Sequence, residues 1–203
     1  MSAMTDAVRA HYDALIEEGN DPVLDPPVLR SYMDGWDGEA FLSAVAPTDA
    51  DTLLEIGVGT GRLALRVAPL CRHLTGIDLS PKSLERAREH LAEQRNVTLL
   101  CGDFLTYPFD ERYDVIYSSL TFMHIGEKAR ALEKAASLLR VGGRLVLSID
   151  KDQREELCFG ERRMRLYPDT REAIRRDICA AGLTVCEELE AAFAHITVAK
   201  KQE

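Results

Sequence analysis

Residues 54–62 read Leu-Glu-Ile-Gly-Val-Gly-Thr-Gly-Arg, a short apolar run broken by alternate glycines at 57, 59 and 61. Without a Cβ, the backbone at such positions takes positive φ freely and lets another group touch the main chain. A strand entering such a bend and a helix leaving it form the unit of an open α/β sheet, whose ligands sit beyond the carboxyl ends of the strands. The chain then repeats this unit. HLTGID (73–78), NVTLLCGD (96–103), YDVIYSSL (113–120) and GGRLVLSID (142–150) are further strand candidates, separated by helical patterns at 62–70, 81–94 and 127–139. Strands that are apolar at nearly every position need cover on both faces, so a parallel sheet between two helix layers is predicted.

The flanks are less regular. Residues 4–18 place Val8, Tyr12, Leu15 and Ile16 on one face of an amphipathic helix. Residues 19–37 contain three prolines, two glycines and Trp36, and read as a structured loop; a brief helix over 38–46 follows. Residues 151–173 are a charged connection to a helix ending near Ala181, with ERRMR (161–165) as a solvated basic face. GLTVCEELE (182–190) and AFAHITVAKK (192–201) suit an antiparallel pair. The expected organisation is one structural unit, with 1–47 as a helical cap and loop and 48–203 as the ligand-binding domain.

Composition narrows the partners. At 203 residues the length suits a single domain. Lys plus Arg number 25 against 34 Asp plus Glu, a net charge of −9 that repels polyanions on average, so no nucleic acid is expected. No apolar stretch reaches the roughly 18 residues a membrane span needs. The N-terminus has no signal-like apolar core, and no membrane partner is expected. Cys71, Cys101, Cys158, Cys179 and Cys186 lie scattered without metal-ligand spacing, which points to a reduced, cytoplasmic protein without a metal. Small molecules are the expected partners, and monomer or homodimer the expected state.

Which small molecule follows from the residues around the bend. Asp78 ends the next strand, 21 residues beyond Gly57, where an acid can accept from both hydroxyls of a ribose. A dinucleotide fingerprint requires a third glycine at 62, which is Arg62, and no Gly-Lys-Ser/Thr phosphate loop occurs. Glu55 beside the bend would repel a pyrophosphate. A cationic, phosphate-free nucleoside fits these features better.

Four motifs in order then complete a resemblance. LLEIGVGTGRL, GIDLSP, CGDFL and YDVIYSSLTFMHI together resemble the class I, Rossmann-like S-adenosylmethionine-dependent methyltransferases over roughly residues 50–150. The resemblance implies a three-layer α/β Rossmann-like sandwich with a seven-stranded, mostly parallel sheet and an antiparallel last strand. It implies S-adenosyl-L-methionine as cofactor, with Gly57, Gly59 and Gly61 along its methionine and ribose portion and Asp78 on the ribose hydroxyls. Asp103 would take the adenine amino group, Leu79 and Phe104 would sandwich the ring, and Ser118 would face the methionyl part. Tyr12 and Glu55 are further cofactor-contact candidates. His124, in the loop after the fourth strand, is a candidate general base; packing against the apolar wall of Phe122, Met123 and Ile125 is the alternative. Arg62 could pair with a carboxylate of the cofactor or lie on the helix surface, and Trp36 could line the substrate wall or the core. The expected activity is methylation of a small-molecule oxygen, nitrogen or sulfur nucleophile. A non-catalytic cofactor-binding module and a nicotinamide-dependent oxidoreductase are the alternatives.

Overall fold

The computed structural model describes residues 3–202. In chain order it holds α1 (Ala3–Glu17), α2 (Pro27–Asp37), α3 (Glu39–Val45), β1 (Thr52–Ile56), α4 (Ala64–Val67), β2 (His73–Asp78), α5 (Pro81–His90), β3 (Val97–Cys101) and β4 (Tyr113–Ser119). There follow α6 (Lys128–Leu138), β5 (Leu139–Asp150), β6 (Glu156–Phe159), β7 (Arg162–Arg165), α7 (Arg171–Ala180), β8 (Leu183–Glu190) and β9 (Ala194–Lys201). The large sheet has the order β3-β2-β1-β4-β5-β9-β8, with β6 and β7 forming a separate hairpin. The pairs from β3 to β5 are parallel. β9 runs antiparallel to both β5 and β8. The seven-stranded, mostly parallel sheet with an antiparallel last strand is therefore present.

Side-chain alternation divides the sheet into two apolar faces. On one, Leu54, Ile56, Ile116, Leu145, Leu147 and Ile149 pack against Ala131, Leu132 and Ala135 of α6 and Ile174 and Ile178 of α7. On the other, Leu53, Val115, Tyr117 and Val146 meet Phe41 and Val45 of α3, Val67 of α4, and Leu84 and Ala87 of α5. Each such fully buried Leu, Ile or Phe contributes roughly 1.5–3 kcal/mol over exposure. Phe41 and Val45 are completely buried, so α3 belongs to the core although it lies in the N-terminal 47 residues. A third, small cluster of Val8, Met164 and Leu166, flanked by Tyr12, Leu79, Met123 and Leu157, ties α1 and the β6–β7 hairpin together over the carboxyl edge of the sheet. Among the described residues no helix is long and apolar enough to cross a membrane.

Several local expectations change. The stretch 19–37 is not a loop throughout: α2 starts at Pro27, with Pro26 extended before it, because proline presets the first helical turn and lacks only an amide that has no partner there anyway. The helix expected over 62–70 shortens to α4 followed by a 3-10 turn at Ala68–Leu70 that contains Pro69. The charged connection holds the β6–β7 hairpin, paired from Glu156↔Arg165 to Phe159↔Arg162 and turned at Gly160, φ 60°. Within ERRMR, Met164 is buried, so only part of that face is solvated. α5 starts as its sequence predicts, the Ser80 hydroxyl accepting from Ser83 N, but ends at His90 rather than near Gln94.

Candidate functional site

The bend after β1 folds back onto β2, where the amides of Gly57 and Val58 both donate to the Ile77 carbonyl, at 2.8 and 3.1 Å. Gly57 has φ 81°, and a Cβ there would lie 2.0 Å from Thr121 Oγ1, so the bend and the loop after β4 are in direct contact. At Gly59 the φ is 54° and a Cβ would meet nothing within 4 Å, which marks open space against bare main chain. The Gly59 amide donates to Asp78 Oδ2 and the Ser80 amide to Asp78 Oδ1, both at 2.8 Å. Each carboxylate oxygen thus keeps a lone pair for a further donor. Burial pushes the Asp78 carboxyl above its ordinary value, against the pull of the Ser80, Gly59 and Leu79 amides.

β3 ends beside this acid. Gly102 N donates to the Asp78 carbonyl at 2.9 Å, and Asp103 follows at once, its Oδ1 accepting from Leu105 N at 2.8 Å. Asp78 and Asp103 therefore stand on neighbouring strand tips. Leu79 is partly buried against the α1 and hairpin cluster. Phe104 is buried below the tip, its ring 5.8 Å from that of Phe109 and 5.5 Å from Lys134 Nζ. Ser118 is fully buried and its hydroxyl donates to the Ile56 carbonyl at 2.8 Å, so its side chain stitches β4 to β1.

Glu55 is 3% exposed and accepts from the Tyr117 hydroxyl at 2.8 Å. Burial raises its carboxyl from 4.5 to about 8, although Tyr117 and Arg62 pull the other way. At neutral pH it carries its proton, so it does not exert the free-carboxylate repulsion that its place in the sequence suggests. Arg62 pairs within the chain: its Nη2 lies 2.5 Å from Oδ2 of the buried Asp37, which also accepts from Ser119 Oγ at 2.8 Å. Asp37 Oδ1 is buried without a partner among the described residues. This Asp37–Arg62–Ser119 junction joins α2, the glycine bend and the tip of β4.

Tyr12 and His124 meet across 112 residues, with Oη and Nε2 2.7 Å apart. Burial, reinforced by Asp78, keeps the phenol protonated. Burial, with Lys128 and His11 adding to it, lowers His124 to about 4. The imidazole is thus neutral and shares one hydrogen bond with the phenol at Nε2, and Nδ1 is buried without a partner among the described residues. α1 is also fastened by Asp13 Oδ1, which accepts from Ser80 Oγ at 2.6 Å.

A cavity of about 450 Å³ opens at the tips of β4 and β5, between α2, the hairpin and the turn before β9. Its wall includes Tyr32, Trp36, Thr121, Ser148, Asp150 and Phe193. Trp36 is thus a cavity residue, whereas His124 is not. Thr121 belongs to both places, since it lines the cavity and touches Gly57. Leu120, also on the wall, holds a left-handed φ of 53°, a conformation that costs a non-glycine residue about 1–2 kcal/mol and is concentrated at working sites. Asp37, Leu120, Asp150 and Phe193 were not marked as site residues by the sequence. Of these only Asp150 carries a local signal, as an acid ending an apolar strand; Asp37, Leu120 and Phe193 carry none. Among the described residues no group of three His, Cys, Asp or Glu side chains could hold a metal.

Comparison with known proteins bears on the family and the fold. A sequence family described as a methyltransferase domain matches residues 53–143. An uncharacterized methyltransferase of Anoxybacillus flavithermus is 33% identical over 156 residues, covering 73% of this chain and 72% of that protein. Among solved structures, DhpI in complex with S-adenosylhomocysteine superposes with a TM-score of 0.80 at 16% identity, covering 100% of this chain and 99% of that one. The N-methyltransferase NodS of Bradyrhizobium japonicum, also solved with S-adenosylhomocysteine, gives a TM-score of 0.72 at 21% identity over 95% of this chain and 98% of that one.

Proposed function

The chain belongs to the S-adenosylmethionine-dependent methyltransferase family, and on that premise we propose that it methylates a small molecule held in the cavity at the tips of β4 and β5. One observation carries this reading: the glycine bend with its two neighbouring acids and the 450 Å³ cavity are adjacent, joined by Thr121.

The residues of the bend suit the cofactor. Asp78 keeps an acceptor position on each oxygen while two amides orient it, which matches a vicinal diol. Asp103 keeps Oδ2 for an amino group after Oδ1 caps its turn. The open space over Gly59 lets a ligand lie on main chain. Asp37 Oδ1, buried and unpartnered, is an acceptor suited to an ammonium. When bound, the cofactor supplies an electrophilic methyl carried on a sulfonium. The chain's own contribution is then to hold a nucleophile in line and keep water out, an orientation effect worth several kcal/mol, up to roughly 7–11 in well-arranged systems.

In this reading Tyr12 and His124 act on the lid rather than on the acceptor. Their hydrogen bond fixes α1 over the tips of β2 and β4, and a histidine lowered to about 4 by burial is a weak base at neutral pH. Titration calorimetry with S-adenosylmethionine, S-adenosylhomocysteine and NADH tests the reading. Micromolar binding of the first two and none of the third is expected; folded protein that binds neither sulfur ligand contradicts it. Formation of S-adenosylhomocysteine from an acceptor separates an enzyme from a binding module.

A further inference from the structure

The acceptor cavity carries one carboxylate without a counter-ion beside three aromatic rings. We infer that it takes an amine in its ammonium form, the nitrogen being received between Asp150 and the rings of Tyr32, Trp36 and Phe193. This rests on the cavity being the acceptor site of methyl transfer.

The place is built rather than incidental. Ser148 Oγ donates to the Trp36 carbonyl at 2.8 Å, which fixes α2 on one face of β5, and alternation puts Asp150, two residues on, on that same face. Tyr32 and Trp36 are one turn apart on α2, so they share a side of the helix. Phe193 is pinned between α2 and β5: its amide donates to Gly35 O at 2.8 Å and its carbonyl accepts from Lys151 N at 2.9 Å. Its ring fills the space of a Gly35 side chain, 2.2 Å from where a Cβ would stand. Ring centroids lie 5.2 Å apart for Tyr32 and Trp36, 5.1 Å for Tyr32 and Phe193, and 4.7 Å for Trp36 and Phe193. Such a cluster offers negative ring faces to a cation.

The charges of the wall point the same way. Lys151 Nζ is held by the Ala191 carbonyl at 2.8 Å and by Glu190. Arg154 Nε donates to Asp152 Oδ2 at 2.7 Å, and Asp169 is paired with Lys128 at 2.6 Å. Among the described residues Asp150 accepts only the amide of Asp152, at 2.8 Å. It has no ion pair among the described residues, although Arg154 feels its charge. Among the described residues of the wall an acidic acceptor would meet no unpaired cation and one unpaired anion. A neutral alcohol would leave Asp150 partly desolvated without compensation, an unfavourable arrangement. An ammonium satisfies it. For transfer the ammonium gives up one proton to solvent water, and its lone pair then forms the N–C bond as the donor's S–C bond breaks. The nitrogen emerges as a methylated ammonium beside a neutral thioether, with one proton released.

Trp36 is the chain's only tryptophan, so its emission reports on this cavity. The experiment titrates phenethylamine, phenethyl alcohol and 3-phenylpropionate into wild-type protein saturated with S-adenosylhomocysteine. It repeats the titrations with Asp150→Asn and with Asp150→Glu, which retains the charge. Phenethylamine is expected to perturb Trp36 at concentrations at least roughly tenfold below the alcohol, as a charge-assisted contact allows, with the carboxylate weakest. Asp150→Asn should erase that preference and Asp150→Glu should retain most of it. An alcohol or carboxylate that binds as well as the amine overturns the inference, as does an amine without effect on emission, whenever calorimetry shows S-adenosylhomocysteine still bound. Loss of S-adenosylhomocysteine binding in the wild type overturns instead the methyltransferase reading of the site.

Discussion

The two halves of the carboxyl edge are made of different material. The half at β1, β2 and β3 is largely main chain: a bend without side chains, amides that aim Asp78, and a second acid one strand over. The half at β4 and β5 is side chain, assembled from α2, two strand tips, the hairpin and the turn before β9. A site drawn by the backbone is fixed with the fold and tolerates little change. A site drawn by side chains from distant segments can be altered one residue at a time, which lets one fold keep a cofactor and vary its acceptor. Substitutions should accordingly separate into those that change cofactor affinity and those that change acceptor affinity.

The sharpest break of that division is Gly57→Ala. The new methyl meets Thr121 at 2.0 Å in a left-handed backbone, and strain of about 1–2 kcal/mol adds to overpacking of about 1–3 kcal/mol. Thermal denaturation and S-adenosylhomocysteine titration should both show large losses; a variant that binds normally would mean the contact is not part of the site. Next comes Glu55. Its folded value, near 8, lies above its ordinary 4.5, so the folded state holds more protons between those limits. The stability this provides is full below about pH 4.5 and is lost as pH rises through 8, on the order of 5 kcal/mol. Glu55→Gln removes the titration while keeping an acceptor for Tyr117. The melting temperature of Glu55→Gln relative to wild type should therefore climb with pH, and a flat difference would place a charged Glu55 under the bend.

Asp78→Asn removes a charged acceptor, at roughly 1.5–3 kcal/mol per lost bond. S-adenosylhomocysteine affinity should fall about 10- to 100-fold, while acceptor binding read at Trp36 remains. Gly35→Ala is its mirror image: the added methyl displaces Phe193, at about 1–3 kcal/mol, so KM for the acceptor should rise with cofactor affinity unchanged. Equal effects of either variant on both ligands would erase the distinction between the halves. The smallest change is Tyr12→Phe, which deletes one hydrogen bond to His124 worth about 0.5–1.5 kcal/mol. It should weaken cofactor binding slightly and leave single-turnover chemistry nearly unaltered, whereas a collapse in turnover would restore His124 to the reaction itself.

The same contrast explains what could be read from the sequence. Gly57, Gly59, Asp78 and Asp103 are legible because strand tips recur at regular intervals and each tip carries its own local pattern. The sheet is legible for the same reason, its strands being apolar at nearly every position. The helix α2 was hidden because its prolines sit at its start, where they promote a helix, and because its apolar residues Val28 and Leu29 are about 78% and 47% exposed and follow no inward-facing period. The hairpin was hidden because its cross-strand partners, such as Glu156 and Arg165, are charged. Cavity contacts such as Trp36 with Ser148, 112 residues apart, leave no local trace at all. Nor does any residue near Arg62 announce Asp37, which reaches the bend from α2.

The most direct measurement is a crystal structure with S-adenosylhomocysteine bound. The expected result has the ribose hydroxyls on Asp78, the adenine amino group at Asp103, and the sulfur facing the cavity beside Thr121. A nucleoside lodged between Trp36 and Asp150, with Asp78 untouched, would contradict it.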